Sequence, residues 1–247
     1  MRYFIELAYH GSNYHGWQVQ PDALSVQEVL EDRLGTLLRS AIKIVGAGRT
    51  DTGVHATQMF AHFDSANELD CADLCFRLNS FLPADIAIKD IFRAKDEAHV
   101  RFDAVSRSYQ YHLVFKKDQF LADRSWLLHH TPDMESMNRA AAGLLGRQDF
   151  QCFSRSNTDV KTYYCEVKQA VWKTTGDQMV FSIMADRFLR NMVRAVVGTL
   201  VEIGLGRRSV ESLSELIQSR DRSMAGPSAP AHGLFLTGVC YPDAIKY

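Results

Sequence analysis

Polarity alternates from the start of the chain, with Tyr3, Ile5, Leu7 and Tyr9 at every second position. Period two places them on one face of a half-buried strand over residues 2–9. The period then lengthens. Ser25 followed by Glu28 is a capping box with Leu24 and Val29 set as a hydrophobic staple, and Val26, Val29, Leu30, Leu34, Leu37 and Leu38 form a helical stripe. Strands over 41–45 and 55–63, a helix over 71–81 stopped by Pro83, and a strand over 86–93 follow. The order strand, helix, strand, strand, helix, strand is that of a split βαβ, ferredoxin-like unit.

The second half begins in the same way, with a long alternating strand over 105–115. Thr131-Pro132 opens a helix to about residue 145. Strands over 161–173 and 178–185 form a hairpin around Gly176-Asp177. Helices from about residues 186 and 209 and a last strand over 234–239 complete the pattern. The expected fold is therefore α+β: two ferredoxin-like units with mostly antiparallel sheets, joined side by side. Residues 1–104 form the first unit and residues 105–247 the second.

Composition refines this picture. The 247 residues suffice for two domains, and 46% hydrophobic with 23% charged residues is the balance of a soluble globular chain. No apolar run reaches the roughly 18 residues of a bilayer span, and residues 1–9 lack a signal-peptide pattern, so a cytoplasmic protein away from membranes is expected. The five cysteines, Cys71, Cys75, Cys152, Cys165 and Cys240, are odd in number and contain no Cys-x-x-Cys pair. They are expected to be reduced, buried thiols, with no required metal. A net charge of −1 argues against a nucleic-acid partner on average, yet residues 186–208 hold five arginines against two carboxylates.

The chemistry is expected in the run Gly46-Ala47-Gly48-Arg49-Thr50-Asp51-Thr52-Gly53-Val54-His55-Ala56. Its glycines permit positive φ and close approach, and it lies between two predicted strands. A dinucleotide-binding turn is excluded, because Asp51 stands where a third small residue is needed and 55–63 has no helical stripe. A phosphate loop is excluded by the absence of a following Gly-Lys-Ser or Gly-Lys-Thr. An Asp beside Gly is usually a turn former. Arg49, two residues away, can hold the Asp51 carboxylate ionised, and an ionised Asp serves as nucleophile or general base.

Two further groups of residues bear on this. On a helix over 186–201, Arg187, Arg190, Asn191 and Arg194 fall on one side, with Leu189, Met192, Val193, Val196 and Leu200 opposite. Such a face is either solvated or built for phosphate and carboxylate; arginines without lysine favour recognition. Tyr109 and Tyr111 share one face of the strand over 105–115, either as sheet-core tyrosines or as a platform for an unpaired base. His15, Trp17 and His55 flank Gly16 and Gly53 and are assigned to shaping the site or touching RNA.

Gly48-Arg49-Thr50-Asp51 with Gly53-Val54-His55-Ala56 resembles the signature of the TruA family of transfer-RNA pseudouridine synthases. Tyr14-His15-Gly16-Trp17-Gln18, Arg101-Phe102-Asp103-Ala104, Arg107-Ser108-Tyr109, Met192-Val193-Arg194 and Gly233-Leu234 follow in family order, so the resemblance covers nearly the whole chain. It implies the pseudouridine synthase fold and isomerisation of uridine to pseudouridine at positions 38, 39 and 40 of the tRNA anticodon stem-loop. It also implies no cofactor, and a homodimer whose basic cleft takes tRNA rather than DNA. By this resemblance Asp51 is the nucleophile or base, Arg49 flips the nucleotide and partners the carboxylate, and Arg194 pairs with Asp51. Tyr109 stacks on the uracil and Leu234 packs against it. His55 lines the site, and Arg187, Arg190, Arg207 and Arg208 contact phosphate. Val100 and Asn191 depart from the family's usual alanine and histidine, which bears on recognition more than on reaction. A non-catalytic RNA-binding module is the alternative, and it would need no ionised Asp51.

Overall fold

The computed structural model describes residues 1–155 and 160–247. They gather into two units: residues 1–106 with 235–247, and residues 107–234. The first crossover lies close to the expected division at residue 104, but the C-terminal segment, expected with the second half, belongs with the first unit.

In the first unit the elements are β1 (Arg2–Tyr9), α1 (Val26–Leu38), β2 (Val45–Gly46), β3 (His55–Asp64), α2 (Cys71–Phe81) and β4 (Ile86–Ala94). β1 pairs antiparallel with β3 and β4, and β2 pairs antiparallel with β3. The resulting order β4-β1-β3-β2 is the ferredoxin-like arrangement expected from the element order. Local chemistry explains the helix ends. The Ser25 hydroxyl accepts from the Glu28 amide at 3.2 Å, and the Asp70 carboxylate accepts from the Asp73 amide at 3.0 Å, each satisfying a first-turn N–H that has no intrahelical partner. α2 stops at Leu82, held extended before Pro83.

Some details of this unit differ from the sequence pattern. Leu24 is 51% exposed, so the staple covers little, and the buried stripe of α1 narrows to Val26, Leu30 and Leu34. Of the strand expected over 41–45 only Val45 joins a ladder; Ile42 and Ile44 are buried from a loop lying on the core. β1 is buried on both faces, because Phe4 packs against Phe92, His62 and Tyr241 on the side opposite Tyr3 and Ile5.

The second unit contains β5 (Ser106–Val114), β6 (Trp126–Leu127), α3 (Met134–Ala142), β7 (Gly146–Asp149), β8 (Tyr164–Thr175), β9 (Gln178–Ala185), α4 (Met192–Gly204) and α5 (Ser212–Ser219). Its strands run β5-β9-β8-β7, antiparallel throughout, with β6 parallel to β5. A whole hairpin, β8 with β9, thus stands where a ferredoxin-like unit has one strand. α3 starts at Met134 rather than after Thr131, because the Asp133 carboxylate takes the Glu135 and Ser136 amides.

α4 starts at Met192, not near residue 186. The Asp186 carboxylate accepts from the Glu166 and Arg187 amides, and the Asp186 amide donates to the Glu166 carbonyl, so the chain stays tied to β8 beyond the end of β9. Asn191, at φ 65°, then turns it into the helix. Arg187 and Arg190 therefore precede α4, and the expected one-sided arginine face does not exist on it. α4 is instead buried almost all round. The last strand, β10 (Leu234–Cys240), runs parallel to β3, with Phe235 opposite His55 and Leu236 opposite Ala56.

Cys152 and Cys165 are buried, and burial pushes both thiols up to about 12. Cys71 and Cys75 are half-buried, and Cys240, at the end of β10, is exposed. Burial of all five thiols was therefore too broad an expectation. Among the described residues no helix is long and apolar enough to cross a membrane.

Candidate active site

The loop between β2 and β3 is held along its length by hydrogen bonds from within the first unit. The Ala47 amide donates to the Phe60 carbonyl at 2.8 Å, the Trp17 amide to the Thr50 carbonyl at 3.2 Å, and the Val54 amide to the Asp51 carbonyl at 3.1 Å. Thr50 is also fixed by its side chain, 2.8 Å from the Tyr9 hydroxyl, and is 9% exposed. On either side of this buried anchor stand Arg49, exposed, and Asp51, half-buried. A carboxylate at that depth keeps access to a ligand while its backbone cannot drift.

A second loop, residues 10–17, lies beneath the first, and its sequence allows the contact. Gly16 has φ +85°, and a Cβ there would lie 2.4 Å from the Thr50 carbonyl oxygen; one at Gly11 would lie 2.0 Å from that of Val54. No side chain fits either place. Asp85 anchors this second loop: its carboxylate accepts from the Tyr14 hydroxyl at 2.6 Å and the Asn13 amide group at 2.9 Å, and its carbonyl from the His10 amide at 2.8 Å. Burial and Asp85 together raise the Tyr14 phenol above its ordinary value.

His55 is 1% exposed and its Nδ1 accepts from the Gly11 amide at 3.0 Å. An accepting Nδ1 implies the neutral ring with its proton on Nε2. The ring packs 4.4 Å from His10 and 4.6 Å from Phe235. His55 is thus a support of the loop. Trp17 is likewise buried, whereas His15 is exposed.

In the second unit the two same-face tyrosines part company. Tyr111 is fully buried and its hydroxyl donates to the Pro230 carbonyl at 2.8 Å, a core role. Tyr109 is half-buried, edge-on to Phe188 at 5.1 Å. Arg194, in the first turn of α4, is locked to the segment beyond α5: its Nε donates to the Ala229 carbonyl at 2.7 Å, and the Ala229 amide returns a bond to the Arg194 carbonyl at 3.0 Å. Leu234, the first residue of β10, is 5% exposed.

The remaining arginines divide by accessibility. Arg190 and Arg207 are exposed. Arg187 reaches the Thr162 carbonyl at 3.3 Å. Arg208 is engaged within the fold, with Nε 2.5 Å from Glu202 and one amino group 2.7 Å from the Met224 carbonyl. Sequence reasoning missed Asp85 and Tyr9. An Asp two residues beyond a proline reads as part of a turn, and both contacts bring together residues far apart in the chain.

Comparison with known proteins supplies the remaining constraint. The chain matches the family described as tRNA pseudouridine synthase over residues 7–103 and 140–242. It is 48% identical over 245 residues to the tRNA pseudouridine synthase A of Parabacteroides distasonis, covering 99% of this chain and 97% of that one. It is 49% identical over 246 residues to that of Porphyromonas gingivalis, with 98% of each covered. The similarity extends to Exiguobacterium sibiricum at 33% over 245 residues, with 99% and 98% covered.

Proposed function

This chain belongs to the tRNA pseudouridine synthase family, a family of isomerases, and from that premise we propose that it converts uridine to pseudouridine at positions 38, 39 and 40 of the tRNA anticodon stem-loop, with Asp51 as nucleophile or base. The observation that carries the reading is the Asp51 loop: a half-buried carboxylate whose backbone is fixed through the Thr50 anchor and the Gly11 and Gly16 contacts. A residue kept only for turning the chain needs no such reinforcement.

The reaction breaks the bond from N1 of uracil to C1′ of ribose and forms one from C5 to C1′. The C5 proton is lost and N1 gains one, so the atoms balance without a co-reactant. As the first bond breaks, C1′ gains oxocarbenium character, and a fixed carboxylate beside it stabilises that charge or adds to it. The departing uracil carries its negative charge on its own oxygens. Asp51 thus acts at the sugar. Mass spectrometry of RNA carrying 5-fluorouridine separates a ribosyl adduct from a glycal.

The other assignments follow from the family resemblance and from each residue's surroundings. Arg49, exposed on the same loop, fills the gap left by the extruded nucleotide and partners Asp51. By the resemblance alone, Tyr109 is assigned to stack on the uracil, Leu234 to close the opposite side, and Arg194 to pair with Asp51. Arg187, Arg190 and Arg207 contact phosphate. His55 and Arg208 act as supports, by their burial and their bonding within the fold respectively. The assembly is a homodimer, to be checked by light scattering. Mapping pseudouridine in unmodified tRNA transcripts by carbodiimide treatment and primer extension tests the site assignment: stops confined to positions 38–40 support it, and stops elsewhere in the tRNA overturn it.

A further inference from the structure

The second unit contains a cavity of about 680 Å³ that includes none of the candidate catalytic residues. Among the described residues, Arg155, Arg220, Arg222, Tyr163 and Gln151 line it, together with the carboxylate of Asp221. Its volume falls within the roughly 300–1,000 Å³ of small-ligand sites and exceeds what a lone phosphate fills.

The lining is held in place. The Arg155 amide donates to the Arg190 carbonyl at 3.0 Å, and the Phe150 amide donates to the Tyr163 carbonyl at 3.0 Å. Arg222 braces the loop beyond it through the Gly226 carbonyl and the Ser228 hydroxyl, at 3.3 and 3.1 Å. Arg220 lies 3.2 Å through Nε from Asp149, with its side chain still 58% exposed. The Asp221 carboxylate is occupied by the amide and hydroxyl of Ser223, both at 2.8 Å. Among the described residues the cavity thus gathers three arginines, one of them paired with Asp149, beside Asp221, and the Arg155–Arg190 bond joins it to one of the arginines assigned to phosphate.

Guanidinium groups for a phosphate, a phenol ring for a base face and a carboxamide for a base edge are the means by which proteins hold an unpaired nucleotide. We propose that this cavity takes an unpaired nucleotide of the bound tRNA other than the one that reacts. The inference rests on RNA being the substrate. It assigns to Arg155, Arg220 and Tyr163 a part in affinity and none in the chemical step.

The test uses the full chain with an unmodified tRNA transcript, measuring Kd across a salt series and kcat at saturating tRNA. Arg155→Ala with Arg220→Ala is expected to weaken binding about tenfold and to lower the salt slope by about one to two. Tyr163→Ala is expected to weaken it about fivefold with the slope unchanged, and kcat should stay within about twofold in every variant. Arg155→Lys with Arg220→Lys, which keeps the charge, should retain the slope, and matching thermal melts show that the variants are folded. Unchanged Kd and slope in both the arginine and tyrosine variants overturns the proposal. So does adenosine monophosphate binding to the wild type and not to the variants while tRNA affinity is untouched, since that marks a free-nucleotide site. Failure of the wild type to make pseudouridine defeats the functional reading instead, because the affinity comparison is read without turnover.

Discussion

The loop of residues 46–55 and the segment of residues 186–194 both carry arginines assigned here to RNA, yet they are built to different tolerances. In the first, a buried Thr50, an underlying loop with glycines where no side chain fits, and Asp85 beneath that loop leave the backbone one position. In the second, Asp186 ties the chain to β8, and Arg187 and Arg190 then extend from a non-helical approach to α4. A reacting carboxylate must be placed within a fraction of an ångström, whereas long cations meeting phosphate tolerate movement. The difference in construction matches the difference in assigned task.

The comparison is broken most severely at Gly16. Alanine there meets both the positive φ and the Thr50 carbonyl, and a cost above about 3 kcal/mol is expected. Chemical denaturation should show a large loss of stability, and a near-wild-type midpoint would mean that the loop is not closely constrained. The same unit should also respond to pH. Burial, with Arg2 and His99 nearby and Asp64 opposing them, pushes His62 down to about 4. Unfolding therefore takes up a proton between that value and the ordinary histidine value of about 6.5. Stability from this group is complete above about 6.5 and is lost as pH falls toward 4, up to about 3 kcal/mol. Urea midpoints at pH 5 and pH 7 should differ more in the wild type than in His62→Gln.

A smaller change sharpens the contrast from within the site. Tyr14→Phe removes the bond to Asp85 and is expected to cost about 2 kcal/mol of stability. It should lower kcat about tenfold with KM for tRNA unchanged, because the loop loses position and not contact with RNA. The smallest effects belong to the second region. Arg187→Ala and Arg190→Ala should each raise KM a few-fold at constant kcat and lower the salt slope of binding by about one. A fall in kcat instead would show that this segment is as tightly tied to the chemistry as the loop.

Much of the first unit was legible because caps and periodicity report local physics. Ser25 caps the helix it was placed beside, and β1, β3 and β4 form where their apolar residues predict strands. The Asp51 loop was legible for the same reason: glycines around charged residues between strands signal a close-built turn. The second unit was harder. Arg187, Arg190 and Arg194 have helical spacing by sequence alone, and only the Asp186 bonds, made to a residue 20 positions away, keep the first two out of the helix. β7, Gly-Arg-Gln-Asp, has no apolar residue to reveal it. Asp85 meets Tyr14 across 71 residues, a contact that no window along the chain contains.

The central claim is that Asp51 acts at the target nucleoside while the rest of the protein binds and presents the RNA. It is tested most directly by comparing wild type with Asp51→Asn for pseudouridine formation in tRNA under single turnover, with Kd for the same tRNA measured in parallel. The account predicts a loss of at least about a thousandfold in rate with Kd within about threefold of the wild type. A variant that retained most of its rate would contradict it.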